Sequence, residues 1–369
     1  MKKLFFVLLA LAVVLGCAAA LGETTFQSAG FEYALLPDGG AELIAYLGEP
    51  GAVVIPAEVD GHPVTAVRRN PFAELYETGL YVGLTPCTVT VAADHPCLRV
   101  TDGLLYDTVH RKLICCEPSR TGEMVITDGT LTVADAAFYG CEHVTAVTIP
   151  DSVTEIGVHT FDGCREMRRV TLPAGITAIG DYAFCTSGIT SLTIPDSVTR
   201  IGAFAFRGAE SLTELTIPDS VTDIGGYAFS FCTGLTSVTL SDSLTVLGQE
   251  VFCWCVSLVS VTIPEGVTRI GNDVFLGCTA LKSVTIPDSV TEIGVEAFSN
   301  CTALKSLRIP AGVQRIGRYA FHLIDSEGNF RLPPMLTLSV TPGSAAEAYC
   351  RENGLRYALP CPDEREDEP

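Results

Sequence analysis

Apolar residues recur along this chain in one pattern that restarts every 23 residues. The stretch Ile286 to Arg308, IPDSVTEIGVEAFSNCTALKSLR, shows it whole. With Ile286 as position 1, the pattern begins again at Ile126, Ile149, Leu172, Ile194, Ile217, Leu240, Ile263 and Ile309. Only the step from Leu172 to Ile194 is shorter, at 22 residues. A fixed period of this size predicts a solenoid, in which each coil buries its apolar side against its neighbours. The run Leu281-Lys-Ser-Val284-Thr-Ile286 has the spacing L-x-x-L-x-L. Its alternation turns Val284 and Ile286 inward and Ser283 and Thr285 outward, as in a strand. Pro287 ends the strand because it has no amide to give to a ladder. Asp288 and Ser289 suit a tight turn, after which Val290 and Ile293 point back inward. Gly294 is expected to make a left-handed bend. Ala297, Phe298, Cys301 and Leu304 then line the far side of the coil. Position 13 is phenylalanine in every copy, from Phe138 to Phe321, which predicts a buried aromatic spine.

The unit I-P-x-S-V-T-x-I-G-x-x-A-F-x-x-C-x-x-L-x-x-V-T resembles the BspA-like leucine-rich repeat of bacterial surface proteins, over about Phe31 to Gly354. The resemblance implies a right-handed leucine-rich-repeat solenoid, with stacked parallel strands on one face and irregular or short helical segments on the other. It also implies adhesion to host or neighbouring-cell macromolecules.

The flanks of the repeat array read differently. Residues 1–22 form an export signal: Lys2 and Lys3, an apolar run from Leu4 to Leu15, then small residues. Two cleavage readings stay open. The alanines at 18–20 suit ordinary signal peptidase, and Val14-Leu15-Gly16-Cys17 resembles a lipobox that would leave Cys17 lipidated. No later apolar run is long enough to span a bilayer. Residues 23–125 read as an N-terminal cap with atypical repeats. Phe31-Glu-Tyr33 and Ala41 to Tyr46 flank a turn as a β-hairpin. Gly103 to Cys115 reads as a second hairpin pushed out from the coil stack. The regular repeats occupy 126–321. Residues 322–360 form a C-terminal helical cap, with Ser344 as N-cap and Gly354 as stop. An acidic tail follows at 361–369.

Charge and cysteine content narrow the function. The net charge is −20, and becomes −22 once Lys2 and Lys3 are removed. Such a chain repels nucleic acid and anionic lipid, so the only membrane link expected is an N-terminal lipid. Six of the 15 cysteines (Cys141, Cys164, Cys232, Cys255, Cys278, Cys301) fall at position 16. Stacked copies have parallel side-chain vectors, a poor geometry for disulfides, so buried thiols are expected. Cys87 with Cys97 and Cys350 with Cys361 are the pairs that could oxidise after export. The histidines share no metal spacing, and there is no G-x-S-x-G, P-loop or G-x-G-x-x-G motif. No enzyme, cofactor or metal site is expected.

What remains is a binding surface arranged in rows. The strand face presents Ser191, Ser237, Ser260, Ser283 and Ser306 at position 21, and Thr239, Thr262 and Thr285 at position 23. Arg168, Arg169, Glu214, Lys282, Lys305 and Arg308 interrupt the hydroxyls and would give a partner its register. A second row, Asp128, Asp151, Asp196, Asp219, Asp242, Glu265 and Asp288, lies at position 3, where each acid is expected to bond its own turn. The expected partner of this monomer is an extracellular protein. Two alternatives remain: a glycan, for which Tyr76, Tyr81 and Tyr106 would have to cluster, and a structural spacer with no ligand.

Overall fold

The computed structural model describes residues 24–75, 81–85 and 87–359. The export signal with Cys17, Tyr76, and the tail with Cys361 lie outside the described residues. The chain divides into two compact units, Met1–Met167 and Arg168–Pro369.

In the first unit, Thr25–Ser28, Phe31–Leu35 and Ala41–Tyr46 form an antiparallel meander, with His62–Val67 added in parallel. Gly51–Ile55 pairs in parallel with Cys87–Val91. Phe31, Tyr33, Leu43, Ile55, Val64 and Phe72 share one apolar core. The hairpin of Leu104–Asp107 with Lys112–Cys116 forms, but it is not pushed out. Leu104, Leu105, Leu113 and Ile114 are buried. Both strands carry consecutive apolar residues, so both of their faces must be covered. Lys112–Cys116 then continues in parallel into Thr132–Val133, which makes the hairpin the start of a coil ladder.

In the second unit three ladders join successive coils; the two strand ladders are interrupted and the third is unbroken from Tyr182 to His322, and the sequence pattern shows only the first. That one is the L-x-L strand: Glu214–Thr216, Ser237–Thr239, Ser260–Thr262 and Ser283–Thr285 in parallel. Ser306–Arg308 pairs with Thr337–Ser339, which pairs with Tyr357–Ala358. The second ladder lies at positions 7 and 8. Ala178–Ile179, Arg200–Ile201 and Asp223–Ile224 form one parallel sheet. Val246–Leu247, Arg269–Ile270, Glu292–Ile293 and Arg315–Ile316 form another. The third is made by turns. The amides at positions 11, 13 and 15 donate to carbonyls of the following coil, as Tyr227 N–H to Gln249, Phe229 N–H to Val251 and Phe231 N–H to Cys253.

This third ladder explains an unusual backbone. Position 11 is left-handed in every copy of the unit (Tyr182, Phe204, Tyr227, Glu250, Asp273, Glu296, Tyr319), with φ between 52° and 62° and never a glycine. A left-handed non-glycine residue costs on the order of 1 kcal/mol. Here the conformation aims an amide at the next coil, so the strain is offset by an inter-coil hydrogen bond. The expected left-handed bend at Gly294 is therefore misplaced. The glycines at position 9 have no positive φ; they are small because the coils touch there. A Cβ on Gly294 would lie 2.4 Å from the Gly271 carbonyl carbon, and one on Gly317 would lie 2.2 Å from the Val295 nitrogen.

The core of the second unit is the aromatic spine. Phe184, Phe206, Phe229, Phe252, Phe275, Phe298 and Phe321 are buried. Consecutive rings stack with centroids 5.2 to 5.8 Å apart. The helix Ala345–Asn353 closes the end. Ser344 accepts the Glu347 amide and Gly354 is left-handed at φ 69°. Tyr349 sets its ring edge-on to Phe321 and accepts the Ala320 amide.

Candidate functional site

Backbone pairing sets the strand face. The three-residue strands of this face turn the middle residue inward and expose the two beside it, so Ser237 and Thr239 flank buried Val238, while Val284 is half-buried. Glu214, Ser260, Thr262, Ser283, Thr285, Ser306 and Arg308 are exposed in the same way. Ser191 departs from the expectation. It is exposed, but residues 187–195 form no strand, because this coil is one residue short. Of the charges, Lys282, Lys305 and Glu214 stand on the face, exposed. Arg168 instead donates to the Gly188 carbonyl and the Ser211 hydroxyl, which fastens the short coil. Arg169 is exposed in the strand Arg169–Thr171. Arg308 is ion-paired with Asp288 at 2.8 Å.

The turn row runs alongside this face, and its acids do not each bond their own turn. Asp128 does, accepting the Gly129 amide. Asp219 reaches forward to accept the Asp242 amide of the next coil at 2.9 Å. The following serine supplies the local tie: the hydroxyls of Ser197, Ser220 and Ser289 donate to the preceding coil's Ile176, Val198 and Val267 carbonyls. Between the two rows lies an open groove of about 570 Å³, lined by Thr216, Pro218, Thr239, Asp196, Asp219 and Asp242.

On another edge, Glu250, Asp273 and Glu296 stack at position 11. Burial, and then the charges of Glu296 and Glu250, push Asp273 up from 3.8 to about 6. The folded state thus holds its proton more tightly than the unfolded chain, so Asp273 favours folding below about pH 4 and this benefit is lost as pH rises through 6. Asp273→Asn should stabilise the protein by about 1 kcal/mol at pH 7.5, with no gain at pH 4. Urea midpoints at the two values check this, and a gain that ignores pH would count against it.

The described cysteines are all buried, and none is joined in a disulfide. The thiols of Cys232, Cys255, Cys278 and Cys301 donate to the carbonyls of Phe206, Phe229, Phe252 and Phe275. Burial raises each of them, which holds them as protonated, unreactive thiols. Cys87 and Cys97 do not pair with each other; the Cys97 thiol donates to the Val64 carbonyl. Tyr106, one of the three tyrosines named for sugar stacking, is buried and accepts the Thr127 amide with its hydroxyl, so its ring does not face a ligand. Among the described residues no group of three acids, histidines or cysteines is arranged to hold a metal. No described helix is long and apolar enough to cross a membrane.

Comparison with known proteins adds the family. The chain is similar to a leucine-rich repeat protein from Bacteroides ovatus ATCC 8483, with TM-score 0.55 and 25% identity over 71% of this chain. It spans 65% of that protein, under two thirds of its length. A leucine rich cell surface protein from Faecalibacterium prausnitzii A2-165 shares the fold, with TM-score 0.51 and 24% identity over 93% of this chain and 96% of its own. No curated protein matches the chain. The profile of the BspA type leucine rich repeat region matches residues 131–259 and 245–339, more than half of the sequence, so the chain belongs to that family.

Proposed function

We propose that this protein is a non-catalytic, exported binding protein that engages a partner protein through the strand face of its repeats. The observation that supports the reading is the face itself: a regular sheet of exposed serine and threonine hydroxyls with exposed charges at Glu214, Lys282 and Lys305. Solenoids use such extended surfaces for recognition. Charged residues within a field of hydroxyls give register and specificity rather than bulk affinity. Export, and a place at the cell surface, are supported by the leader-like residues 1–22 and by the description of the Faecalibacterium protein as a cell surface protein. A partner protein is favoured over a glycan because the strand face carries no aromatic side chain to stack on a sugar.

The test is a pull-down from extracellular proteins and glycans with immobilised chain from Glu23 to Pro369. It is run beside a variant carrying Glu214→Ser, Lys282→Thr and Lys305→Thr. A protein partner held by the wild type and lost by the variant is the expected result. A partner held equally by both would move the contact off this face, and no partner would leave a structural spacer.

A further inference from the structure

Charge is sorted between the edges of the second unit. On the flank, the arginines at position 7 are used internally. Arg200 pairs with Asp181 and Asp223, and Arg269 and Arg315 both pair with Glu292. On the strand-face side the position-3 row carries Asp196, Asp219, Asp242 and Glu265 on four successive coils, all exposed. None of the four has an ion-pair partner among the described residues. Ala174 precedes the row, and the acid that follows it, Asp288, is neutralised by Arg308. There the strand face also becomes basic, through Lys282 and Lys305.

We infer that the groove between the hydroxyl face and this row is the docking site for a lysine- or arginine-rich extended segment of the partner protein. The four coils are separated by one sheet spacing each, so the row is about 14 Å long, the reach of roughly four residues of extended chain. Thr216 and Thr239 offer hydroxyls to the segment's backbone on one wall, and the carboxylates meet its cations on the other. The chain's net charge of −20 would steer a basic partner toward the groove. The inference rests on the strand-face reading and names the partner's chemistry.

The experiment uses the chain from Glu23 to Pro369 and a fluorescein-labelled octalysine peptide, followed by anisotropy at low salt. One variant neutralises the groove with Asp196→Asn, Asp219→Asn and Asp242→Asn. A second removes the same charge from the position-11 row with Glu250→Gln, Asp273→Asn and Glu296→Gln. The groove variant should lose affinity at least about tenfold and the other no more than about twofold. Emission of Trp254, the only tryptophan, reports that both are folded. Equal losses would show a diffuse polyelectrolyte effect and overturn the site, as would wild type that does not bind the peptide. The groove variant keeps Glu214, Lys282 and Lys305, and the pull-down variant keeps the three aspartates, so either reading can fail alone.

Discussion

Phe229→Ala should destabilise the protein by about 3–5 kcal/mol, while Phe231→Ala, two residues away in the same coil, should cost about 1 kcal/mol or less. Phe229 is fully buried and stacks on Phe206 at 5.2 Å and on Phe252 at 5.4 Å. Truncation removes its transfer free energy and both ring contacts, and leaves a cavity that cannot collapse without moving two neighbouring coils. Each coil is stabilised chiefly by its two interfaces, and this change weakens both. Phe231 sits 39% exposed at position 15, where four other copies have glycine. Its contacts are the Trp254 ring at 6.4 Å and the Arg207 guanidinium at 5.3 Å. It also holds a left-handed backbone at φ 60°, so little is lost when its ring goes. Urea unfolding of the two variants measures the difference. Similar losses would mean that the spine is not the main source of cohesion.

The contrast marks what the sequence could convey. Position 13 is always Phe and position 16 mostly Cys, and a residue type held constant through a period points to a constant environment. The spine and the buried thiol ladder were legible for that reason. The strand face was legible too, because alternation around Val238 and Val261 has only one strand reading. Position 11 has Tyr, Phe, Glu and Asp by turns, so nothing in its chemistry signals a shared left-handed backbone; only the inter-coil hydrogen bonds impose it. The position-7 sheet was hidden because its strands are two residues long, too short for alternation to register. The groove was half legible. The acid row stood out, but its contacts did not, since Asp219 with the Asp242 amide and Asp288 with Arg308 join residues about a whole coil apart.

A severe single-atom change follows from the same geometry. Gly294→Ala should cost about 2–4 kcal/mol, and Gly248→Ala, at the same repeat position, less than about 1 kcal/mol. Neither glycine has a positive φ, so alanine's own backbone preference is not at issue. At Gly294 a Cβ would meet the Gly271 carbonyl carbon and oxygen at 2.4 Å and the Asn272 nitrogen at 2.6 Å. All three are backbone atoms and cannot rotate away. The two coils would have to part, which lengthens the 2.9 Å hydrogen bond from the Gly294 amide to the Ile270 carbonyl. At Gly248 the nearest atom is the Ile224 carbonyl oxygen at 3.4 Å, an ordinary contact that leaves room for a methyl group. Thermal or urea unfolding of the pair decides between two accounts of one repeated glycine. A large loss at 294 alone places the constraint in coil-to-coil approach. Equal losses would return it to the backbone conformation of the residue itself, and the spacing of the second ladder would then no longer explain why this position excludes a side chain.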